Sequence, residues 1–310
     1  MNVHRDFDSL NTIKNPVVTT GTFDGVHIGH KVIINRLNTL AKSIHGESVL
    51  ITFHPHPRRV LYPDTAGKNL QLINSQKEKI QLLRKTGLDH LVIINFTKEF
   101  AETTSQEFVE DILLEKLRAK MIIVGFNHYF GHNREGDFSY LHELAKNRDF
   151  QVEEIPEQDL ENETVSSTII RKSLLEGRIQ RANAYLDHFF IITGNLTIGD
   201  PKCMEIGFPT LGLKVEEDVK LIPPDGVYAV NVNCENNRYR GMLNIKHAAE
   251  ENNPSIQVHL FEYDSNFNLT AKEATVTFHK RMRNELRLED SDRLKLQLVK
   301  DKAEIEELIY

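Results

Sequence analysis

The residues best suited to chemistry are His27 and His30, which stand three positions apart after a glycine-rich turn. The run from Pro16 to Thr20, just before the turn, is apolar and β-branched, which predicts a buried strand. The residues after His30 have helical periodicity, so both histidines are expected on one face of a first helical turn. N–H groups and the helix dipole at such a terminus favour an anion. The stretch therefore predicts a phosphate-binding site.

Three glycines in the same stretch strengthen this interpretation. Gly21, Gly25 and Gly29 have no Cβ, so the backbone could approach a ligand closely. The alternative is a loop–helix junction with two histidines that are solvated or bind zinc. Short motifs alone produce many false matches. Here the strand, turn and helix all occur in the order that phosphate binding requires.

The composition is that of an ordinary globular protein, with 40% apolar and 27% charged residues. A chain of 310 residues suits two domains. The net charge of −7 gives no basic field, so no nucleic-acid partner is predicted. An anionic substrate would have to be held by backbone N–H groups and individual basic side chains.

Cysteine usage and hydropathy predict a cytoplasmic protein. Cys203 and Cys234 are too few for a disulfide framework, and no CxxC motif occurs. The first residues lack the apolar core of a signal peptide, and no run approaches transmembrane length. No membrane partner is therefore expected, and the oligomeric state is left open.

Strand and helix patterns alternate over residues 1–185. The predicted strands, apolar throughout or nearly so, are residues 17–20, 49–53, 91–95, 121–124 and 151–155. The first helix has an apolar face made of Ile33, Leu37, Leu40 and Ile44. Two later helices begin with capping-box pairs, which are Ser75 with Glu78 and Thr104 with Glu107. This alternation predicts an α/β domain with a parallel, doubly wound sheet.

Four motif-bearing segments each follow one of the predicted strands. They are residues 21–30, 52–58, 125–131 and 165–171. In doubly wound sheets, ligands bind beyond the carboxyl ends of the strands. The four segments are therefore expected to converge on one edge of the sheet.

The character of the chain changes near residue 186. Short strand-like runs recur at residues 191–198, 211–215, 226–233, 238–245, 256–263 and 273–278, separated by turn residues. This spacing predicts a small antiparallel β-barrel. A final helix carries Leu294, Leu298, Ile305 and Ile309 on one face. The predicted domains are residues 1–186 and 187–310.

The string G-T-F-D-G-V-H-x-G-H resembles the HxGH signature of nucleotidyltransferases, and most closely that of bacterial bifunctional riboflavin kinase/FAD synthetases. The resemblance implies an FMN adenylyltransferase domain in which His27 and His30 stabilise charge on the α-phosphate of ATP. It implies nucleotide binding by residues of the glycine-rich stretch, namely Gly21, Thr22, Phe23, Asp24 and Gly29.

Three further segments match the same family. A T-F-x-P-H-P loop and a flavin-contacting loop supply the expected FMN-binding residues, Pro55, His56, Pro57, Phe126, Asn127 and Phe130. The histidines of the first loop could equally be exposed, and the aromatics of the second could be core. A segment similar to SSTxIR gives Ser166, Ser167 and Thr168 to the phosphates of ATP. Its Arg171 is implied to reach the β- and γ-phosphates as a catalytic residue.

The second domain is similar to the family's riboflavin kinase module in layout but not in functional detail. Pro-Lys-Cys-Met at residues 201–204 replaces a glycine- and arginine-bearing loop, and residues 244–250 depart from a third motif. Thr210 keeps a hydroxyl implied to bind Mg²⁺, whereas Gly212 replaces the second ligand, an asparagine. Gln257 stands where the family has the glutamate that acts as general base, and an amide cannot accept a proton at neutral pH. We therefore predict a weak or inactive kinase.

The sequence thus predicts an FAD synthetase that uses ATP, Mg²⁺ and FMN, with riboflavin as a possible further ligand. One alternative is a fully bifunctional enzyme, in which Glu250 or Glu262 replaces the missing base. Others are a non-catalytic flavin-binding or regulatory protein, or transfer to another phosphorylated acceptor. His54, His56, His128 and His132 have irregular spacing and no accompanying cysteine, so no metal ligation is predicted for them.

Overall fold

The computed structural model describes residues 1–7, 10–126, 128–156, 159–160, 163–247, 254–262, 269–286 and 290–309. The chain divides into two compact units. The first comprises residues 1–70 and 79–166, and the second comprises residues 71–78 and 167–310. The domain boundary between residues 186 and 187 stays a prediction.

The first unit is built on a six-stranded parallel sheet of strand order β1-β4-β3-β2-β5-β6. The strands are β1 Asn2–His4, β2 Val17–Thr20, β3 Ser48–His54, β4 His90–Asn95, β5 Met121–Gly125 and β6 Gln151–Ile155. This confirms the predicted α/β class and all five predicted strands. Strand β1, which pairs with β4 at the sheet edge, was not predicted because three residues carry no periodicity.

Helices surround this sheet. They are α1 Ile28–Ser43, α2 Pro57–Leu61, α3 Gln76–Leu83, α4 Lys98–Ala101, α5 Ser105–Glu107, a π-helical segment Phe108–Lys116, and α6 Phe138–Ala145. Helix α3 begins in residues that belong to the second unit. Short 3₁₀ turns occur at Leu10–Thr12, Arg84–Thr86 and His132–Arg134. The two-residue strands β7 Asp159–Leu160 and β8 Glu163–Thr164 pair antiparallel. The predicted capping box of Thr104 and Glu107 is confirmed.

The buried face of α1 differs from the predicted one. Ile34, Leu37 and Ala41 are its buried residues, whereas Ile33 and Leu40 are partly exposed. The prediction followed only large apolar residues and so missed Ala41. Leu37 is common to both faces, so the buried stripe is rotated by less than the roughly 100° that separates successive residues of a helix.

The second unit contains a closed six-stranded antiparallel barrel of order β10-β13-β12-β11-β14-β9. Its strands are β9 Phe190–Ile198, β10 Leu211–Lys214, β11 Gly226–Cys234, β12 Asn237–Lys246, β13 Ser255–Leu260 and β14 Glu273–Arg283. Its helices are α7 Ser167–Leu175, α8 Ile179–Leu186, α9 Pro201–Glu205 and α10 Ser291–Leu308. Both the predicted barrel and the predicted final helix are confirmed.

The inner face of α10 lies against the barrel. Ile305 and Ile309 are buried there with Phe208, Val227 and Phe261, and Leu298 packs at the margin. This is the apolar face that the sequence predicts. No described helix has the length and apolar character to cross a membrane.

Residues 71–78 pack with the barrel although they lie within the sequence of the first unit. Leu72 forms a parallel bridge with Lys220. The Leu72 N–H donates to the Val219 carbonyl at 2.7 Å, and the Leu221 N–H donates to the Leu72 carbonyl at 2.8 Å. The same segment carries the predicted capping box of Ser75 and Glu78, which is confirmed by reciprocal bonds of 2.9 and 3.1 Å.

Candidate active site

The two motif histidines stand side by side at the start of α1. His27 is the N-cap, with extended backbone angles of −73° and 175°, and His30 lies in the first turn. Their rings stack with centroids 3.6 Å apart. The ring of Phe23 lies 4.5 Å from that of His30. The turn between β2 and α1 therefore presents two imidazoles as one unit at a helix N-terminus.

The turn adopts backbone conformations that β-carbons oppose. Phe23 and Val26 have φ angles of 48° and 44°, and Gly25 has 93°. A Cβ on Gly21 would lie 3.0 Å from the Phe23 ring, and one on Gly29 would lie 3.3 Å from the His27 ring. These two glycines thus make room for the aromatic rings of the site itself, a role that the sequence did not indicate.

His30 is held in its neutral form. Burial lowers its pKa well below the ordinary value of 6.5, and the neighbouring His27 and Lys79 lower it further. Its Nδ1 is buried and has no hydrogen-bond partner among the described residues. A neutral imidazole has one donor and one acceptor nitrogen, so it can donate one hydrogen bond to a phosphate oxygen.

Lys79 is a site residue that the sequence analysis missed. It is buried, and its Nζ donates to the Thr22 carbonyl at 2.8 Å. The Thr52 hydroxyl donates to the same carbonyl at 3.2 Å. Lys79 therefore fixes the glycine-rich turn and places a positive charge near the two imidazoles. Lys79 follows Gln76, Lys77 and Glu78 in α3, so no local sequence signal distinguished it from these polar neighbours.

A cavity of about 450 Å³ lies next to the turn. Its apolar walls come from Phe53, Phe96, Phe100, Phe108 and Phe130, and its polar lining includes Thr20, Thr22, His128 and Arg134. Of the predicted FMN-binding residues, Pro57 and Phe130 line this cavity. The described residues that line it do not include Pro55, His56 or Phe126, and Asn127 lies outside the described residues.

The T-F-x-P-H-P segment is partly helical, which corrects the prediction of a loop. Pro57 begins α2, and His56 is its N-cap, whose Nδ1 accepts from the Arg58 N–H at 3.2 Å. Proline is suited to a first helical position because its missing N–H would have no partner there. Phe126 is half-exposed, at 50%.

His128 is the second neutral histidine of this unit. Burial and the nearby Arg134 lower its pKa to about 4. Its Nε2 has no hydrogen-bond partner within the described part of the chain. His132, by contrast, pairs with Glu102 at 3.4 Å and contacts the Ala101 carbonyl at 3.2 Å.

The predicted phosphate-binding serines and arginine are divided between the two units. Ser166 is the last residue of the first unit. Ser167 and Thr168 begin α7 in the second unit, and Arg171 follows in the same helix. Their joint action with His27 and His30 stays a prediction.

The barrel holds a separate cavity of about 770 Å³ that is lined by two of the predicted kinase residues, Thr210 and Gln257. The Thr210 hydroxyl donates to Gln257 Oε1 at 3.1 Å. The Asp200 N–H donates to Thr210 Oγ1 at 3.0 Å and to Gln257 Oε1 at 3.2 Å. Gly212 faces Gln257 across the β10–β13 pair, and a Cβ there would lie 2.3 Å from Thr197 Oγ1.

Of the two glutamates considered as substitute bases, Glu262 is not among the described residues that line this cavity. Glu262 is exposed and pairs with Arg240 at 2.7 Å, and Glu250 lies outside the described residues. Glu285, which the sequence analysis missed, does line the cavity. Its closeness to Gln257 depends on the closure of the barrel, so no sequence pattern indicated it.

The expected Mg²⁺ ion needs ligands from the described residues, from the substrate or from water. Within the described residues, no group of three or more His, Cys, Asp or Glu side chains could hold a metal ion. Mg²⁺ commonly keeps several waters and binds substrate phosphates with only one or two protein oxygens. Such an ion fits a site that supplies few oxygens of its own, such as that of Thr210.

Comparisons with known proteins cover nearly the whole chain. The FAD synthetase family model matches residues 10–169, and the riboflavin kinase model matches residues 186–309. A bifunctional riboflavin kinase/FMN adenylyltransferase from Buchnera aphidicola is 32% identical, with 97% of this chain and 96% of the relative covered. A protein of the same name from Listeria monocytogenes is 30% identical, with 94% and 91% covered.

A solved structure supports the same fold. The crystal structure of a macrolide-efflux protein from Streptococcus pneumoniae aligns with a TM-score of 0.86 at 26% identity, and 97% of each chain is covered. The two family models, the two relatives and the solved structure together match both units of this chain. The chain belongs to the family of bifunctional riboflavin kinase/FMN adenylyltransferases.

Proposed function

We propose that the first unit transfers AMP from ATP to FMN, which gives FAD and pyrophosphate. The observation that carries this proposal is the stacked pair of His27 and His30 at the N-terminus of α1, beside the buried Lys79. Helix N-termini bind phosphate groups through free N–H groups and the dipole. FAD synthesis is also the activity of the family model that covers this unit.

The proposed reaction needs positioning and charge stabilisation rather than proton transfer. An oxygen of the FMN phosphate attacks the α-phosphorus of ATP in line, the new P–O bond forms, and pyrophosphate leaves with the electrons of the broken bond. His27 and the neutral His30 donate hydrogen bonds to the α-phosphate oxygens. Such a donor stabilises the transition state by about 3 kcal/mol. Mg²⁺ bound to ATP would neutralise phosphate charge, with most of its oxygen ligands supplied by phosphates and water.

The flavin occupies the neighbouring aromatic cavity in this proposal. Phe130 offers a stacking surface, and Pro57 closes one side. Thr20, Gly21 and Thr22 line this cavity and also belong to the segment that leads to His27. The flavin phosphate would therefore be placed close to the two histidines. Ser166, Ser167, Thr168 and Arg171 are proposed to hold the outer phosphates of ATP.

Phosphorylation of riboflavin by the barrel is the second proposed activity. Two relatives that match more than nine-tenths of this chain carry the bifunctional name, and a riboflavin kinase model spans the barrel. These comparisons favour the bifunctional alternative over the prediction of a weak or inactive kinase. Gln257 then requires that another group in the barrel cavity accept the proton of the riboflavin hydroxyl.

His30→Ala tests the first activity. FAD formation from FMN and ATP should fall about 10²-fold, while FMN binding, followed by quenching of flavin fluorescence, stays unchanged. The matched control is His45→Asn, because His45 is exposed and distant in sequence from the motif. Unchanged FAD formation by His30→Ala would refute the assigned site. A wild type that binds FMN but forms no FAD would favour a non-catalytic flavin-binding protein.

Separate assays with riboflavin and with FMN test the second activity. Products are resolved by chromatography after reaction with ATP and Mg²⁺. We expect FMN and FAD from riboflavin, and FAD from FMN. Formation of FAD from FMN, with no product from riboflavin, would overturn the second activity and restore the prediction of an inactive kinase.

A further inference from the structure

The barrel cavity is lined by three carboxylates, two of which already have structural partners. Asp200 is the N-cap of α9 and accepts from the Lys202 N–H at 2.9 Å. Asp225 accepts from the His247 N–H at 2.8 Å and contacts the His247 ring at 2.5 Å. The third, Glu285, caps no helix and is only partly exposed.

Glu285 is linked to the predicted kinase residues through Asn244. The Asn244 side chain hydrogen-bonds the Glu285 carboxylate. Asn244 faces Gln257 directly across the β12–β13 pair, and Gln257 contacts Thr210. Asn244 Oδ1 is buried and has no hydrogen-bond partner among the described residues. A buried acceptor in a cavity wall is suited to receive a hydroxyl donor of a ligand.

The surroundings of Glu285 raise its pKa above the ordinary value of a glutamate. Burial raises its pKa, and Asp225 raises it further, whereas Arg283, Lys246 and the Asn244 hydrogen bond lower it. Burial is the largest of these effects. A general base works best when its pKa lies close to the operating pH.

We infer that Glu285 is the general base for riboflavin phosphorylation in this chain. The inference rests on the proposed activity of the barrel. The Glu285 carboxylate takes the proton of the terminal ribityl hydroxyl while that oxygen attacks the γ-phosphorus of ATP. The bond between the γ-phosphorus and its bridging oxygen breaks, and ADP leaves with the electron pair.

Two neighbouring side chains, those of Gln257 and Asp225, are less suited to accept this proton. The amide of Gln257 does not accept a proton at neutral pH, and its oxygen already receives hydrogen bonds from Thr210 and Asp200. Asp225 is held by His247. Gln257 instead fixes Thr210 on the cavity wall.

The Glu285→Gln variant of the full chain tests the inference. The kcat for FMN formation from riboflavin should fall by about 10² or more, while riboflavin binding and FAD formation from FMN stay unchanged. The Glu262→Gln variant is the matched control, because Glu262 is an exposed glutamate of the same unit. In the wild type, kcat should decrease on acidification with an inflection above that of an ordinary glutamate, and Glu285→Gln should remove this inflection.

A second substitution separates a base from a merely structural residue. Adding Gln257→Glu to Glu285→Gln places a carboxylate next to Thr210 and should restore much of the lost rate. A rate within threefold of wild type for Glu285→Gln, or loss of riboflavin binding, would overturn the inference. A wild type that makes FAD from FMN but no FMN from riboflavin would overturn both the inference and the second activity, and would leave AMP transfer intact.

Discussion

At the scale of single residues, the first unit holds two histidines in the neutral form by burying them. His30 and His128 have lowered pKa values for the same main reason, which is the cost of placing a charged imidazole away from water. A neutral His30 can donate to phosphate without adding a proton equilibrium to the reaction near neutral pH. The same burial makes the unit sensitive to acid.

The His128→Phe variant should reduce the loss of stability on acidification. The unfolded chain protonates this histidine near its ordinary pKa of 6.5, whereas the folded chain does so only at about 4. The free energy of unfolding of the wild type should therefore decrease as the pH falls from 6.5 towards 4, since the unfolded state binds more protons. In His128→Phe this decrease should be smaller, as measured by urea unfolding at several pH values.

His45→Asn provides the comparison, because His45 is an exposed histidine of the same unit. Its acid dependence should match that of the wild type. Equal dependence in His128→Phe and the wild type would show that His128 is not held neutral by the fold.

Sequence spacing was enough to predict that His27 and His30 lie together at a helix start. It did not indicate side chains that reach a site from a distant part of the sequence. The H-x-x-H spacing and the glycines are local, so they are visible in the sequence. Lys79 reaches the turn from another helix, and its role depends on a contact with the Thr22 carbonyl. Glu285 likewise acquires its neighbour Asn244 only when the barrel closes. Groups that act through long-range packing leave no periodic signal.

At the scale of elements, a buried ion pair fastens residues 71–78 to the barrel. Lys220 Nζ lies 2.7 Å from Glu78 Oε2 with both side chains fully buried. It also donates to the carbonyls of Ile73 and Ile191 at 2.5 and 2.7 Å. Glu78 Oε1 accepts from the Thr193 N–H at 2.7 Å. Every polar atom of the pair thus has a partner, as buried charges require.

Lys220→Met should destabilise the barrel unit by about 3–5 kcal/mol, because it leaves the Glu78 carboxylate buried without a positive partner. Urea unfolding followed by circular dichroism measures the loss. Lys77→Met is the matched control, since Lys77 forms an exposed ion pair with Glu273 in the same unit. Exposed pairs contribute little, so this control should unfold nearly as the wild type does. Equal losses for the two variants would contradict the role assigned to Lys220.

The elements that the sequence predicts well are those with local signals. The two capping boxes and the five longer strands of the sheet agree with the structure. The three-residue strand β1 and the short helix α2 have no such signal. The pairing of Lys220 with Glu78 joins residues far apart in sequence, so it could not be foreseen from either segment.

At the scale of the whole molecule, the two units interleave along the chain. The barrel unit takes residues 71–78 from within the sequence of the first unit, together with α7 and α8. In α8, Asn183 donates to the Phe278 carbonyl at 2.9 Å and accepts from the Phe190 N–H at 2.7 Å. A boundary between residues 186 and 187 would therefore separate the barrel from groups that hold two of its strands.

This arrangement predicts that one substitution has opposite effects in two contexts. A fragment of residues 167–310 keeps α7 and α8 but lacks Glu78 and Ile73, so the Lys220 ammonium would lose its carboxylate partner and one of its carbonyl partners. A buried ammonium that lacks its counter-ion lowers the free energy of unfolding by several kcal/mol. A methionine of similar length carries no charge, so it avoids this loss. Lys220→Met should thus raise the urea midpoint of the fragment while it lowers that of the full chain. If the substitution lowers both midpoints, residues 71–78 are not what compensates the charge of the buried lysine.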